Sequence, residues 1–169
     1  MNCKLSIINC TLLLLAISGC SIKYSFTGAS IAPAAKTFSV KLFPNMAPLV
    51  MPSLSASFTD ALTMKMLTNT RLSQASEEGD LNFEGEITNY TVTPQAITSA
   101  EVAAQNRLTI SVHVKFTNLI DPTQDYDKTF SQYEDYDSQR NLNDVETELV
   151  EAISEKLIED IFNAAVANW

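Results

Sequence analysis

The segment NRLTISVHVKF, residues 106–116, alternates apolar and polar side chains over its whole length. Successive side chains of a β-strand point to opposite faces, so this period of two predicts a strand with one apolar and one polar face. The apolar positions are Leu108, Ile110, Val112, Val114 and Phe116, and the polar positions are Thr109, Ser111, His113 and Lys115. A strand of this kind fits an antiparallel sheet that is covered on one side and wet on the other.

Three further segments show the same alternation. TFSVKLF, residues 37–43, predicts a strand with Phe38, Val40 and Leu42 on its apolar face. LNFEGEITNYTV, residues 81–92, predicts another, in which Gly85 on the apolar side indicates a bulge or a close helix crossing. QDYDKTFSQY, residues 124–133, is more polar and is therefore expected at an edge of the sheet.

Two segments have helical spacing instead. From Pro52 to about Asn69, apolar residues recur at helical intervals, and Pro52 suits the first turn. The C-terminal segment has a longer stripe that predicts a helix of about 24 residues, or about 36 Å. Its stripe consists of Val145, Leu149, Ile153, Leu157, Ile161 and Ala165, widened by Val150, Ile158 and Phe162. Asn143 followed by Glu146 resembles a capping box at the start of this helix.

The predicted order is therefore β-α-β-β-β-α. Because each strand has one apolar face, both helices are expected to pack on that side of the sheet. We predict an α+β fold, a two-layer sandwich of a four-stranded, mostly antiparallel sheet with two helices on one face. It occupies residues 37–169 as a single domain, a usual size for one hydrophobic core.

The N-terminus has the layout of a secretory signal, with Lys4 followed by a largely apolar run from Leu5 to Ile17. This run is shorter than the ~20 residues of a membrane span. It ends in Ile17-Ser18-Gly19-Cys20, which resembles the bacterial lipobox. The resemblance implies removal of residues 1–19 and a lipid on Cys20; the alternative is a chance cysteine after an ordinary signal. The following residues contain Gly28, Pro33 and small side chains without a period, so we expect residues 20–36 to be a tether.

Charge excludes some functions. Removal of residues 1–19 takes away Lys4 and no acid, so the formal charge changes from −9 to −10. So acidic a chain lacks the basic surface that binds nucleic acid. With Cys3 and Cys10 in the signal and His113 as the only histidine, we expect no metal site, no cofactor and no catalytic residues. The acids near Asp121 lack the glycine and spacing of a calcium loop and indicate a solvated edge.

Several segments together resemble the lipopolysaccharide-assembly lipoprotein family, LptE, in its shorter branch. They are FPNMAPLVMPSLSASFTDAL, GDLNFEGEITNYTV, NRLTISVHVKFTNLIDP, FSQYEDYD and VETELVEAISEKLIEDIFNAAVANW. The resemblance implies an outer-membrane lipoprotein that faces the periplasm and catalyses no reaction. It also implies a partner, the LptD-type β-barrel, which the lipoprotein plugs during delivery of lipopolysaccharide to the cell surface.

The residues also suggest where contacts would form. Lys41, Arg107 and Lys115 on the polar faces of two strands predict a small basic strip for lipopolysaccharide or the partner. Ordinary surface charges are the alternative. A second candidate function is a carrier that holds a lipid or small apolar ligand between helices and sheet, in a cavity lined by residues such as Phe58, Phe83 and Phe162. A periplasmic hydrolase is the third, for which the sequence offers no constellation.

Overall fold

A computed structural model describes residues 31–49, 51–95 and 104–166 of the chain. These residues form five strands and two α-helices in the order β1-α1-β2-β3-β4-β5-α2, with a short 3-10 helix before β5. Their bounds are β1 Thr37–Val40, α1 Leu54–Asn69, β2 Ser73–Gln74, β3 Leu81–Gln95, β4 Gln105–Asn118, the 3-10 helix Pro122–Gln124, β5 Tyr126–Asp137 and α2 Leu142–Val166. The predicted α+β class, with both helices and all four expected strands, is confirmed.

The sheet is mixed and has the order β2-β1-β3-β4-β5. β3, β4 and β5 form an antiparallel meander, which places β5 at the edge as predicted. β1 pairs with β3 in parallel, and helix α1 lies within the crossover that a parallel connection needs. The additional strand β2 has only two residues, both exposed, so the alternation of a half-buried strand is absent from its sequence.

Strand β3 contains a bulge, but it lies at Thr88 and not at Gly85. Ile87 pairs with Val112 and Asn89 pairs with Ser111, which leaves Thr88 as an extra residue. The extra residue shifts the alternation by one position. Tyr90 is therefore buried, although strict alternation from Ile87 would place it on the exposed face. The bulge keeps the apolar face of β3 continuous.

At Gly85, neighbouring residues pack directly against the backbone of β3. A Cβ at this position would lie 2.1 Å from the carbonyl oxygen of His113 and 2.6 Å from a ring carbon of Phe43. Phe43 is fully buried, whereas Leu42 is exposed, so the predicted apolar position of Leu42 is wrong. The reason is that β1 ends at Val40, and the chain then turns Phe43 over the bare backbone of Gly85.

At one corner of the sheet, where β1 pairs with the start of β3, the loop between β2 and β3 covers the face that points away from the helices. Ser39 and Asn82 lie on the face expected to be wet, but they are buried, and the expectation is wrong there. Ser39 Oγ donates a 2.7 Å hydrogen bond to Asn82 Oδ1, which also accepts a bond from the backbone N–H of Gly79. The loop between β2 and β3 thus satisfies the polar groups that it covers.

The two helices cover the opposite face and supply about half of the buried core residues. In α2 every residue of the predicted stripe is buried, and in α1 the buried residues are Leu54, Phe58, Leu62 and Met66. α2 begins at Leu142, so Asn143 lies inside the helix and the predicted capping box is wrong. The carboxylate of Glu146 instead accepts a 2.5 Å hydrogen bond from the hydroxyl of Tyr90 on β3.

Candidate interaction surface

The face of β3, β4 and β5 that points away from the helices is almost entirely polar. We call it the outer sheet face and define it from the register of the three strands. It consists of Glu84, Glu86, Asn89, Thr91 and Thr93 of β3, Arg107, Thr109, Ser111, His113, Lys115 and Thr117 of β4, and Asp127, Thr129, Ser131, Tyr133 and Asp135 of β5. Strands of 12 to 15 residues extend this face over about 40–50 Å.

The charges on the outer sheet face are largely paired with each other. Arg107 forms a two-pronged ion pair with Asp135, with nitrogen–oxygen distances of 2.7 and 2.9 Å. Lys41, at the end of β1, lies 2.5 Å from Glu84. These bonds from the basic groups lower the pKa values of the Asp135 and Glu84 carboxyls. The paired cations are therefore less able to hold a free anion.

The centre of the face carries polar groups that are hydrogen-bonded to each other. Ser111 Oγ donates to Ser131 Oγ at 3.0 Å, and His113 Nε2 lies 2.5 Å from Asp127 Oδ1. Among the described residues the partner of the Ser111 hydroxyl is another serine and not His113, so these two side chains do not form the contact between a nucleophile and its base. The arrangement suits reversible polar contacts with another surface.

The three basic residues predicted as a strip are not contiguous. Lys41 and Lys115 share one row of the sheet, but Glu84 lies between them because it pairs with Lys115 across the β3–β4 ladder. Arg107 is eight residues from Lys115 on the same strand, or about 26 Å. The structure thus groups two of them around a carboxylate and places the third near the far end of the face.

Tyr133 is a feature of this surface that sequence reasoning missed. It is 46% exposed, and the guanidinium of Arg107 stacks on its ring, 3.6 Å from the centroid. Arginine and tyrosine are enriched among the residues that dominate protein interfaces. The alternation in β5 could have placed Tyr133 on the polar face, but only the register with β4 brings it beside Arg107.

The phenylalanines expected to line the carrier's cavity lie in the packed core. Phe58, Phe83 and Phe162 are all buried, and Phe83 packs against Phe116 with ring centroids 4.9 Å apart. Two main cavities occur in the described residues, and none of these phenylalanines lines either one. The larger, about 810 Å³, lies over the covered corner of the sheet, and the other, about 730 Å³, is a groove between α1 and α2.

Within residues 31–49, 51–95 and 104–166, no cluster of histidine, cysteine, aspartate and glutamate side chains could hold a metal ion. In that part of the chain no helix is long and apolar enough to cross a membrane. Cys20, the predicted lipid attachment residue, lies outside the described residues, as do the signal peptide and most of the predicted tether.

Comparison with solved structures supports the fold. The hypothetical protein CT253 from Chlamydia trachomatis matches with a TM-score of 0.53 and 9% identity, over 80% of this chain and all of that chain. A homologue of a neuraminyllactose-binding hemagglutinin from Helicobacter pylori matches with a TM-score of 0.53 and 10% identity, over 83% of this chain and 88% of that chain. At such identities these likenesses concern the fold alone.

The sequence itself identifies the family. No curated protein matches this chain significantly. The family model LptE, described as lipopolysaccharide-assembly, matches residues 35–165, a range that contains all five strands and almost all of α2. The chain therefore belongs to the LptE family of lipopolysaccharide-assembly proteins.

Proposed function

We infer that this protein is an outer-membrane lipoprotein, held by a lipid on Cys20, that partners and plugs an LptD-type β-barrel. In this role it faces the periplasm and assists the assembly of lipopolysaccharide in the outer membrane without catalysing a reaction. The family match over residues 35–165 is the observation that carries the proposal.

The character of the outer sheet face supports a position inside a barrel. The lumen of an outer-membrane barrel is polar and wet, so a plug needs a surface that forms hydrogen bonds without burying unpaired charge. Ser111 and Ser131 at the centre of the face and the Arg107–Asp135 pair near its end meet that requirement, and Lys115 is a cation of the face that keeps its charge for a partner group. We therefore assign the outer sheet face to the barrel wall.

Direct contact with lipopolysaccharide through Lys41, Arg107 and Lys115 is a finer proposal. Lys41 and Arg107 are held by carboxylates, whereas Lys115 forms no ion pair with any of the described residues. Lys115 is thus the best of the three for a phosphate group. Lys115→Gln should lower the lipopolysaccharide that copurifies with the protein, and Lys128→Gln, on the other face of β5, should not.

A pull-down of the tagged protein from native membranes in a gentle detergent tests the main proposal. A barrel of the LptD type should copurify in a 1:1 ratio and should be lost with Ser111→Trp, which places a bulky group at the centre of the outer sheet face. The control is Ser154→Trp, in the groove on the helical side. Recovery of the protein alone would contradict the partnership, and equal effects of both variants would contradict the assigned face.

The same preparation tests the anchor. With residues 1–19 replaced by a secretory signal that is cleaved before residue 20, Cys20→Ala should move most of the protein into the soluble periplasmic fraction, because the lipid is its main hydrophobic attachment. Membrane retention of Cys20→Ala in cells that lack the barrel would contradict lipidation as the means of attachment.

A further inference from the structure

Two adjacent apolar side chains are exposed at the end of the sheet where the chain enters the domain. Leu119 is 53% exposed and Ile120 is 39% exposed, and both follow directly after strand β4. Single exposed apolar residues are common on protein surfaces and need no explanation. This pair is different because the turn that carries it is fixed by its own hydrogen bonds.

Asn118 organises that turn from a buried position. Its side-chain Oδ1 accepts hydrogen bonds from the backbone N–H groups of Ile120 and Asp121, both at 2.9 Å. Its own backbone N–H donates to Asp125 Oδ1 at 2.7 Å, and its side-chain amide donates to Gln124 at 3.0 Å. The polar groups of the turn are satisfied internally, so Leu119 and Ile120 are presented outward on a rigid backbone. Rigid presentation lowers the entropy lost on binding.

Asp80 joins this turn to the incoming chain. Its carboxylate accepts hydrogen bonds from the backbone N–H groups of Lys36 at 2.7 Å and Thr37 at 2.9 Å. Its backbone carbonyl accepts one from the N–H of Leu119 at 2.9 Å. The start of β1 and the apolar turn are therefore neighbours at one end of the molecule.

The length of chain before the described residues limits how far that end can lie from Cys20. Ala35 is buried and Ile31 packs against the core, so the domain holds the chain from Ile31 onward. Ten residues separate Cys20 from Ile31, and even a fully extended segment of that length spans at most about 36–40 Å. A lipid on Cys20 would therefore keep the start of the domain, and the turn beside it, within reach of the bilayer.

We propose that Leu119 and Ile120 insert into the interface of a zwitterionic lipid bilayer as a second contact beside the anchor. The proposal rests on the lipid anchor of the proposed function. Two side chains alone give weak membrane binding, but an anchor makes their insertion intramolecular and raises the effective concentration. The carboxylates of Asp121 and Asp125 adjoin the turn and would be repelled by anionic headgroups, so the bilayer that fits is a neutral one.

The test supplies the anchor chemically. Cys20 is the only cysteine of residues 20–169, so its thiol can be coupled to a maleimide lipid in phosphatidylcholine vesicles. This coupling works whether or not cells lipidate Cys20. The chain has a single tryptophan, so Trp169→Phe removes all tryptophan fluorescence. In this background the fluorescence of Leu119→Trp reports the surroundings of the turn. The control is Met46→Trp, at a site that is 65% exposed and bonded to Ile87, about 23 Å along β3 from Asp80.

In coupled vesicles that contain brominated lipid, Leu119→Trp should shift its emission to the blue and lose roughly half of its intensity. Insertion by about 5–10 Å would bring the indole to the depth of the bromines. Met46→Trp should keep its emission. Emission of Leu119→Trp that is unchanged, or quenching that is equal at both sites, would overturn the proposal.

A second variant and a second lipid complete the test. Ile120→Ser in the Leu119→Trp background should reduce the quenching, because it removes the apolar neighbour. Vesicles with anionic phosphatidylglycerol should also reduce it, and stronger quenching there would overturn the assignment to a neutral surface. A failure in these vesicles leaves the barrel pull-down unaffected, and a failed pull-down leaves the vesicle result unaffected.

Discussion

Gly85 shows how one residue fixes the packing of the first strand against the rest of the sheet. The missing side chain lets the ring of Phe43 lie on the backbone of β3, with a ring carbon only 2.6 Å from the position of a Cβ. Phe43 in turn contacts Phe58 of α1, with ring centroids 5.5 Å apart. The glycine thus links the sheet to the first helix.

Gly85→Ala should therefore destabilise the fold by about 1–3 kcal/mol, the usual cost of overpacking a core. Urea unfolding of the purified protein measures the change. Glu86→Ala, on the adjacent outer-face position, is the control and should have a smaller effect. Equal stability of Gly85→Ala and the parent protein would show that Phe43 does not lie on the glycine.

Asp80 carries an acid-sensitive contact at the other end of β1. Hydrogen bonds from the backbone N–H groups of Lys36 and Thr37, and from the hydroxyl of Thr37, hold its pKa below the ordinary value of 3.8. A lowered pKa means that the contact contributes stability above pH 3.8, and that this contribution is lost as the pH falls through the lowered value.

Asp80→Asn should lower the thermal unfolding midpoint at neutral pH, and the difference from the parent protein should vanish once the pH is below the lowered pKa. Thermal scans over a pH series measure both effects. Asp60→Asn, an exposed acid on α1, serves as the control. A deficit that persists unchanged into strong acid would mean that the carboxylate charge is not the source of the stability.

At the scale of elements, the bulge in β3 keeps apolar side chains on the helix-facing side both before and after it, although the alternation shifts by one residue there. Ile87 and Tyr90 both face the helices although they are three positions apart, because Thr88 is the extra residue of the bulge. Beyond the bulge, Tyr90 reaches Glu146 of α2, and burial together with this carboxylate raises the pKa of the tyrosine hydroxyl. The bulge thereby sets the contact between β3 and the start of the long helix.

Deletion of Thr88 should be tolerated, because Ile87 and Asn89 would then follow each other with the pairing partners that they already have. Deletion of Glu86 should instead place Ile87 on the outer face and Thr88 in the core, at a cost of about 2–4 kcal/mol. Chemical unfolding of the two deletion variants compares them directly. A Thr88 deletion as damaging as that of Glu86 would contradict the bulge assignment.

At the scale of the whole molecule, acidity works against folding. The chain carries a formal charge of −9. Glu148, Glu151 and Glu155 of α2 form no ion pair with any residue in the described ranges, whereas Glu159 pairs with Lys65. Glutamates three or four residues apart on one helix repel each other by about 0.2–0.5 kcal/mol per pair.

Salt should therefore stabilise the protein. An increase from about 0.01 M to about 1 M NaCl shortens the Debye length from roughly 30 to 3 Å, so the thermal midpoint should rise. The double variant Glu151→Gln/Glu155→Gln should be more stable at low salt and less responsive to it. Glu134→Gln, which removes the partner of Lys156, should not gain stability. A midpoint that falls with salt in the parent protein would contradict the repulsion.

The sequence by itself determined the elements with strong periodicity. Every residue that the stripe of α2 and the alternation of β4 placed on the apolar faces is buried, because burial on one side imposes a period on a regular backbone. The order of these segments, together with the lipobox, resembles the LptE family, and the family match confirms that resemblance.

Only the tertiary structure decided the features that depend on distant pairing. The place of the bulge, the burial of Ser39, the separation of Arg107 from Lys115 and the meeting of Asp80 with Leu119 all follow from the register between strands. Register is set by contacts between residues tens of positions apart, so it cannot be predicted from the alternation within a single strand. A one-residue bulge or a short strand changes which side chains meet, and therefore what surface the protein presents.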